Sequence, residues 1–227
     1  MAPDVRILKT EDGSATLYLE QLEETYHSIH GALSESLYVY IRHGLDLLPK
    51  TLDHICILEV GFGTGLNVLL SLDHAPAATI DFYSIEPFPL DLALLQDYYR
   101  GFDIKPASYD LLTKLTGKEP EVLHEVRPEF NFSLIQKKLQ EFSPQDAHGV
   151  LFNLVYYDAF APSKQPEMWS RETLEIVVSR MQAGGILVTY CAQGQFKRHL
   201  RELGLIVEHP PGANGKREMT IARKIQS

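Results

Sequence analysis

Three glycines at alternate positions, Gly61, Gly63 and Gly65, constrain this chain more than any other feature, because they join an apolar run directly to a helical one. From Ile55 to Leu70 the stretch reads I-C-I-L-E-V-G-F-G-T-G-L-N-V-L-L. The segment up to Val60, apolar but for Glu59, suits a strand buried on both faces, and helical spacing resumes at Leu66. Glycines at the junction accept positive φ and let a ligand approach where a Cβ would block it, while the helix behind them presents unpaired N–H groups. The pattern predicts a strand, a tight turn and a helix start that together cradle a nucleotide-like ligand.

The spacing is G-x-G-x-G, whereas the dinucleotide fingerprint is G-x-G-x-x-G, and Glu59 stands two residues before the first glycine. A carboxylate there repels a pyrophosphate but suits a cationic ligand, and S-adenosylmethionine carries an ammonium and a sulfonium with no phosphate. The spacing resembles motif I of the class I methyltransferases. Glu59, the three glycines and the intervening or adjoining Phe62, Thr64 and Asn67 are therefore the candidate cofactor residues. A second buried strand, Thr79 to Ile85, ends in Glu86, about 20 residues after the glycines, where an acid is placed to accept hydrogen bonds from ribose hydroxyls. The third strand, Phe130 to Ile135, is followed by Gln136-Lys137-Lys138 and offers only a poor match to the usual adenine contact.

At 227 residues the chain is long enough for one α/β domain with an appendage, and it contains no apolar run of membrane-spanning length. The N-terminus shows no signal-peptide core, and Cys56 and Cys191 both fall in predicted strands without metal-ligand spacing, so reduced thiols, no metal and a cytoplasmic location are expected. His27 and His30 are read as polar or capping residues at a pocket rim. A net charge of −9 argues against nucleic acid at first sight. Its distribution softens the objection: residues 1–130 hold 9 basic against 21 acidic residues, whereas residues 131–227 hold 12 against 9.

Val5 to Lys9 and Ala15 to Leu19, around the turn Glu11-Asp12-Gly13-Ser14, predict a β-hairpin, and the segment from Tyr26 to Tyr40 a helical or mixed stretch. Residues 1–50 are thus expected as an N-terminal extension packed on a catalytic domain of residues 51–227. Residues 105–128 read as helix and loop. Leu151 to Tyr157 is another buried strand with Asp158 at its carboxyl end, where open α/β sheets place their ligands, and this is the predicted chemical site. A carboxylate there can accept the N–H bonds or the proton of an amine whose lone pair must stay free for attack, and Phe160 can face a sulfonium or a substrate ring. Ser170 caps a helix stopped by Gly184-Gly185, and further strands at 186–191, 205–208 and 219–223 complete a seven-stranded sheet with its last strand antiparallel.

Four segments then narrow the resemblance: Tyr26-x-Ser28 with Gly31, Glu35-Ser36-x-Tyr38-Val39; Glu59 to Asn67; Asp158-Ala-Phe-Ala-Pro-Ser-Lys-Gln-Pro-Glu-Met-Trp169; and Gly215-Lys-Arg-Glu-Met219. Together they resemble the MnmC-type tRNA methyltransferase domain, in order and over nearly the whole chain. That resemblance implies transfer of a methyl group from S-adenosylmethionine to the 5-aminomethyl group of a wobble 2-thiouridine, with Asp158 beside the amine. It makes the tRNA anticodon loop the partner and Tyr26, Ser28, Glu35, Phe160, Lys164, Trp169, Lys216 and Arg217 candidate substrate contacts. It also implies other wobble-uridine-modifying enzymes acting upstream. Bifunctional relatives carry an FAD-dependent oxidase for which this length leaves no room, so a stand-alone form is expected. Gln165 and Glu167 depart from the family pattern, where asparagine and aspartate are expected. Rival readings are a small-molecule amine methyltransferase, an aminopropyltransferase of the spermidine synthase type, and an inactive methyltransferase fold serving as an RNA-binding scaffold.

Overall fold

Strands covered on both faces must be apolar along their length, and the runs around Ile57, Phe82 and Val155 are buried almost throughout. The computed structural model describes residues 5–103, 106–116 and 119–225. At its start β1 (Val5–Lys9) pairs antiparallel with β2 (Ala15–Leu19), as the turn residues predict, and β3 (Glu24–Thr25) adds a short third strand. Among the described residues eight further strands form the main sheet: β4 (His54–Val60), β5 (Thr79–Ile85), β6 (His124–Arg127), β7 (Phe130–Ile135), β8 (Phe152–Tyr157), β9 (Met181–Thr189), β10 (Leu205–Glu208) and β11 (Thr220–Lys224). Their order is β10-β11-β9-β8-β4-β5-β7-β6.

Strands β7, β5, β4, β8 and β9 run parallel, and β11 lies antiparallel to both β9 and β10. This is the expected class I methyltransferase arrangement with one addition. The stretch expected as helix and loop contributes β6, antiparallel to β7, which makes the sheet eight-stranded. Hairpin pairing supplies the reason: Arg127 and Phe130 face each other across a tight turn with Glu129 at φ 64, a local geometry that helical periodicity does not reveal. The two glycines expected to stop a helix lie inside β9 instead. A Cβ on Gly185 would stand 3.0 Å from the Phe152 carbonyl oxygen, so its absence lets β9 approach β8 at the irregularity in their register.

The crossovers are α2 (Leu66–Asp73), α3 (Leu92–Arg100) and α5 (Arg171–Ser179), preceded by the short α1 (Ala32–Ser36), separated by α4 (Leu112–Leu115) and followed by α6 (Gly194–Glu202). Asp91 and Ser170 cap α3 and α5, accepting from the backbone N–H groups of Leu94 and Thr173. Side chains alternate across each strand, so Leu154 and Tyr156 pack with α2 on one face while Val155 and Tyr157 pack with α5 and α6 on the other. Ala15, Leu17, Val39 and Tyr40 belong to the first of these clusters, so the N-terminal segment shares the core of the sheet.

Asp12 ties the hairpin turn to α1. Its carboxylate accepts from Ser14 N at 3.0 Å, Thr10 Oγ1 at 2.8 Å and Ser34 N at 2.8 Å. Burial raises its pKa, but these bonds outweigh burial and hold it at about 2. The segment that follows, Tyr26 to Glu35, is thereby held over the carboxyl edge of the sheet.

Candidate active site

Backbone pairing lines up the ends of three strands. Val60 is in register with Ile85 on one side and Tyr157 on the other, so Gly61, Glu86 and Asp158 follow side by side at the carboxyl edge. Gly61 N donates to Ile85 O and Asp158 N to Val60 O, both at 2.9 Å, which carries the ladder one residue past the strands. All three glycines of the turn have positive φ, at 93°, 51° and 76°. A Cβ on Gly61 would meet the Asp158 carbonyl oxygen at 2.6 Å and one on Gly65 the Phe62 ring at 2.9 Å, so a side chain at either position collides with the wall of the site.

Above this edge lies a cavity of about 910 Å³, lined from the turn by Gly61, Phe62, Gly63 and Asn67, and from the strand ends by Glu86, Asp158 and Phe160. The N-terminal segment closes it with Tyr26, Ser28, Glu35 and Tyr40, and the C-terminal part with Tyr190 and Lys216. Tyr26 packs edge-on against Phe160 at 5.0 Å between ring centroids.

Asp158 is the chemical centre of this wall. Asn67 Nδ2 donates to Asp158 Oδ2 at 2.9 Å, which fixes the carboxylate from the first turn of α2. Burial pushes the Asp158 pKa up to about 6; the Tyr40 hydroxyl, Asn67 and the charge of Lys216 oppose that rise, and Glu35 adds to it. Lys216 Nζ pairs with Glu35 Oε1 and stands 5.4 Å from the Tyr190 ring centroid, while Glu35 Oε2 accepts from Ser28 N at 3.2 Å. The Tyr190 hydroxyl donates to Ala159 O at 2.8 Å and so holds the loop that follows Asp158.

Glu86 accepts from Gly63 N at 3.3 Å and Phe88 N at 3.0 Å; burial raises its pKa and these bonds counteract part of the rise. Glu59 is fully buried below the turn, takes a hydrogen bond from Ser84 Oγ, and leaves Oε1 without a hydrogen-bond partner among the described residues. Burial raises its pKa well above the usual carboxylate range. Thr64 and Gly65 shape the turn from behind, Tyr99 donating its hydroxyl proton to Thr64 O at 3.2 Å.

Eleven of the expected site residues therefore line one cavity: Gly61, Phe62, Gly63, Asn67, Glu86, Tyr26, Ser28, Glu35, Asp158, Phe160 and Lys216. Glu59, Thr64, Gly65, Lys164, Trp169 and Arg217 lie outside its lining. Trp169 in particular is 3% exposed, packs against Tyr157 and Phe196, and donates Nε1–H to Phe160 O at 2.8 Å. A ring so enclosed positions Phe160 and cannot stack on a base, which corrects its expected role as a substrate contact. Phe88 offers what Trp169 lacks: it lines the cavity and is 75% exposed. Its signal was present in the sequence as the first aromatic after Glu86. Tyr40 and Tyr190 had no such signal, because only the packing of distant segments brings them beside Asp158. Gln136 is exposed and off the lining, whereas Lys138, Leu139 and Gln140 are on it.

A turn with no room for a Cβ at Gly61 or Gly65, a buried acid beneath it, a second acid at the next strand end and room for a nucleoside all fit S-adenosylmethionine. The fold is that of the class I S-adenosyl-L-methionine-dependent methyltransferases, and residues 114–225, just under half of the chain, match the family model described as S-adenosyl-L-methionine-dependent methyltransferase. In sequence and in structure the chain is similar to MnmC-type proteins. It is 31% identical over 240 residues to the tRNA 5-methylaminomethyl-2-thiouridine biosynthesis bifunctional protein MnmC of Hydrogenovibrio crunogenus, covering 98% of this chain and 34% of that protein. With the protein of the same name from Cupriavidus necator it shares 29% identity over 90% of this chain and 32% of the relative. The chain thus spans about a third of the length of these relatives. MnmC2 from Aquifex aeolicus superposes with a TM-score of 0.79 at 27% identity, over 99% of this chain and 71% of that structure.

Proposed function

We propose that this chain methylates the 5-aminomethyl group of the wobble uridine, in its 2-thio form, in tRNA, with S-adenosylmethionine as methyl donor and the anticodon loop as partner. The observation that carries the reading is Asp158, held by Asn67 at the carboxyl end of β8 and facing a cavity that continues to the glycine turn. The names of the MnmC relatives support the choice of substrate.

Gly61, Gly63, Asn67 and Glu86 would hold the cofactor, with Glu59 beneath them. When bound, S-adenosylmethionine supplies a methyl group made electrophilic by its positive sulfur. Asp158 accepts an N–H of the substrate amine, aims the nitrogen lone pair into the cavity, and above about pH 6, where it is ionised, can take the proton that nitrogen loses. Tyr26 and Phe160 form an aromatic wall beside it. Glu35 and Lys216 close the other side as an ion pair, so the Lys216 charge is spent on Glu35 as well as on Asp158. The basic residues beyond residue 130, Lys164 and Arg217 among them, supply phosphate contacts that the acidic first half does not. Among the described residues no helix is long and apolar enough to cross a membrane; the proposed tRNA substrate is what supports a cytoplasmic reading.

The test is transfer of labelled methyl from S-adenosylmethionine to tRNA lacking only this methyl group, followed by digestion and identification of the nucleoside. Label in 5-methylaminomethyl-2-thiouridine is the expected result. Normal cofactor binding without transfer to that tRNA would move the activity to another amine.

A further inference from the structure

A second cluster of chemically versatile side chains lies at the opposite end of the sheet from the cavity. His54 and Cys56, two residues apart on β4, project from the same face, and Cys56 is in register with Asp81 on the adjacent strand β5. One ligand atom from each of the three lies within 4.8 Å of the others: His54 Nε2 is 2.9 Å from Asp81 Oδ2 and 4.0 Å from Cys56 Sγ. Sequence spacing alone could not assemble this group, because Asp81 arrives through strand pairing.

We infer that His54, Cys56 and Asp81 form a binding site for a divalent transition metal, with zinc the best match. An imidazole, a thiolate and a carboxylate are all ordinary zinc ligands, and their bond lengths of about 2.0 to 2.3 Å place tetrahedral donors roughly 3 to 4 Å apart, close to the separations seen here. The mixed nitrogen, sulfur and oxygen set disfavours magnesium and calcium, which take oxygen ligands. The surroundings are those a metal ligand needs. Asn131 Nδ2 donates to Asp81 Oδ1 at 2.8 Å, leaving Oδ2 for the ion, and Cys56 N donates to Asn153 Oδ1 at 2.8 Å, which anchors the strand beside the sulfur. Cys56 is buried whereas His54 is exposed, so an ion can enter from the His54 side and keep a fourth position for water.

Binding converts the Cys56 thiol to a metal-bound thiolate and releases its proton, so affinity rises with pH. The site lies at the amino ends of β4 and β5, seven residues from the glycine turn along β4, so the ion pins the strands from below and takes no part in methyl transfer.

The experiment titrates the 227-residue chain, stripped with chelator, with cobalt(II) and then zinc(II). One equivalent of cobalt should bind with a sulfur-to-metal charge-transfer absorption, zinc should displace it, and zinc should raise the melting temperature. Cys56→Ser should abolish the charge-transfer band, His54→Ala should weaken binding at least about ten-fold, and Asn131→Ala should do so to a smaller extent. Because His54 is exposed, His54→Ala folds without difficulty and keeps the test open if Cys56→Ser does not. Absence of the band in the wild-type chain, or zinc stabilisation unchanged in His54→Ala, would overturn the site.

Discussion

Replacing Asp158 by asparagine should separate activity from stability, and the size of the effect follows from the burial of the carboxylate. Its pKa moves from an ordinary 3.8 to about 6 in the folded protein. A folded pKa above the unfolded one means that the native state binds more protons between the two values, so stability falls as pH rises through that window. Two units correspond to up to ~3 kcal/mol of destabilisation once the group is fully ionised. Asparagine is isosteric, keeps an oxygen to accept from Asn67 Nδ2 and carries no charge. At about pH 8 Asp158→Asn should therefore be more stable than wild type by up to ~3 kcal/mol, with the advantage roughly halved near pH 5 and almost gone below pH 4. For a chain of this size the gain at pH 8 amounts to a melting temperature higher by ~6 to 12 °C. Methyl transfer by the same variant should collapse while cofactor binding persists. Urea unfolding at the three pH values, alongside the transfer assay, measures both. An Asp158→Asn protein no more stable than wild type at pH 8, or with a gap that ignores pH, would refute the claim that this charge is held in the site at a cost.

Wild-type kcat/KM should rise with pH through about 6 as Asp158 ionises, and Lys216→Ala, which removes a charge that favours the ionised form, should move that limb upward by a fraction of a unit; an unshifted profile would disconnect the two residues. Gly61→Ala should lose cofactor binding measured by calorimetry, because its Cβ has only 2.6 Å to the Asp158 carbonyl oxygen and the oxygen belongs to backbone. Phe88→Ala should weaken S-adenosylmethionine binding by ~1 to 3 kcal/mol, about 5- to 150-fold in Kd, if the exposed ring stacks on adenine beside Glu86; an unchanged Kd would assign the ring elsewhere. Trp169→Phe retains most of the packing but leaves the Phe160 carbonyl without its donor, so about 1 kcal/mol of stability and a raised KM for the methyl acceptor are expected.

The glycine-turn side of the cavity was legible in the residues because its structure is local. The strand, turn and helix of residues 55–70 carry their own instructions: β-branched and apolar residues for the strand, glycines where φ must be positive, and an acid beneath the turn. Glu86 and Asp158 could be placed for the same reason, since each ends a buried strand and strand ends are where open sheets expose polar groups. The hairpin at 5–19 was equally local, its turn residues lying between two alternating runs. Resemblance to a family then extended the reading to Glu35 and Lys216, which no periodicity connects.

Tertiary structure alone decided which side chains meet. Lys216 and Glu35 are 181 residues apart and pair across the cavity. Tyr40 and Tyr190 flank Asp158 through the packing of a π-helical turn and the end of β9. A tryptophan is apolar enough for the core and aromatic enough for a base, so its composition could not choose between them; burial against Phe196 chose the core. The edge strand β6 depends on a single tight turn, too short to leave a periodic trace. His54, Cys56 and Asp81 come together for the most general reason: side-chain chemistry is written along the chain, whereas the register that sets Cys56 opposite Asp81 is fixed by the pairing of two strands.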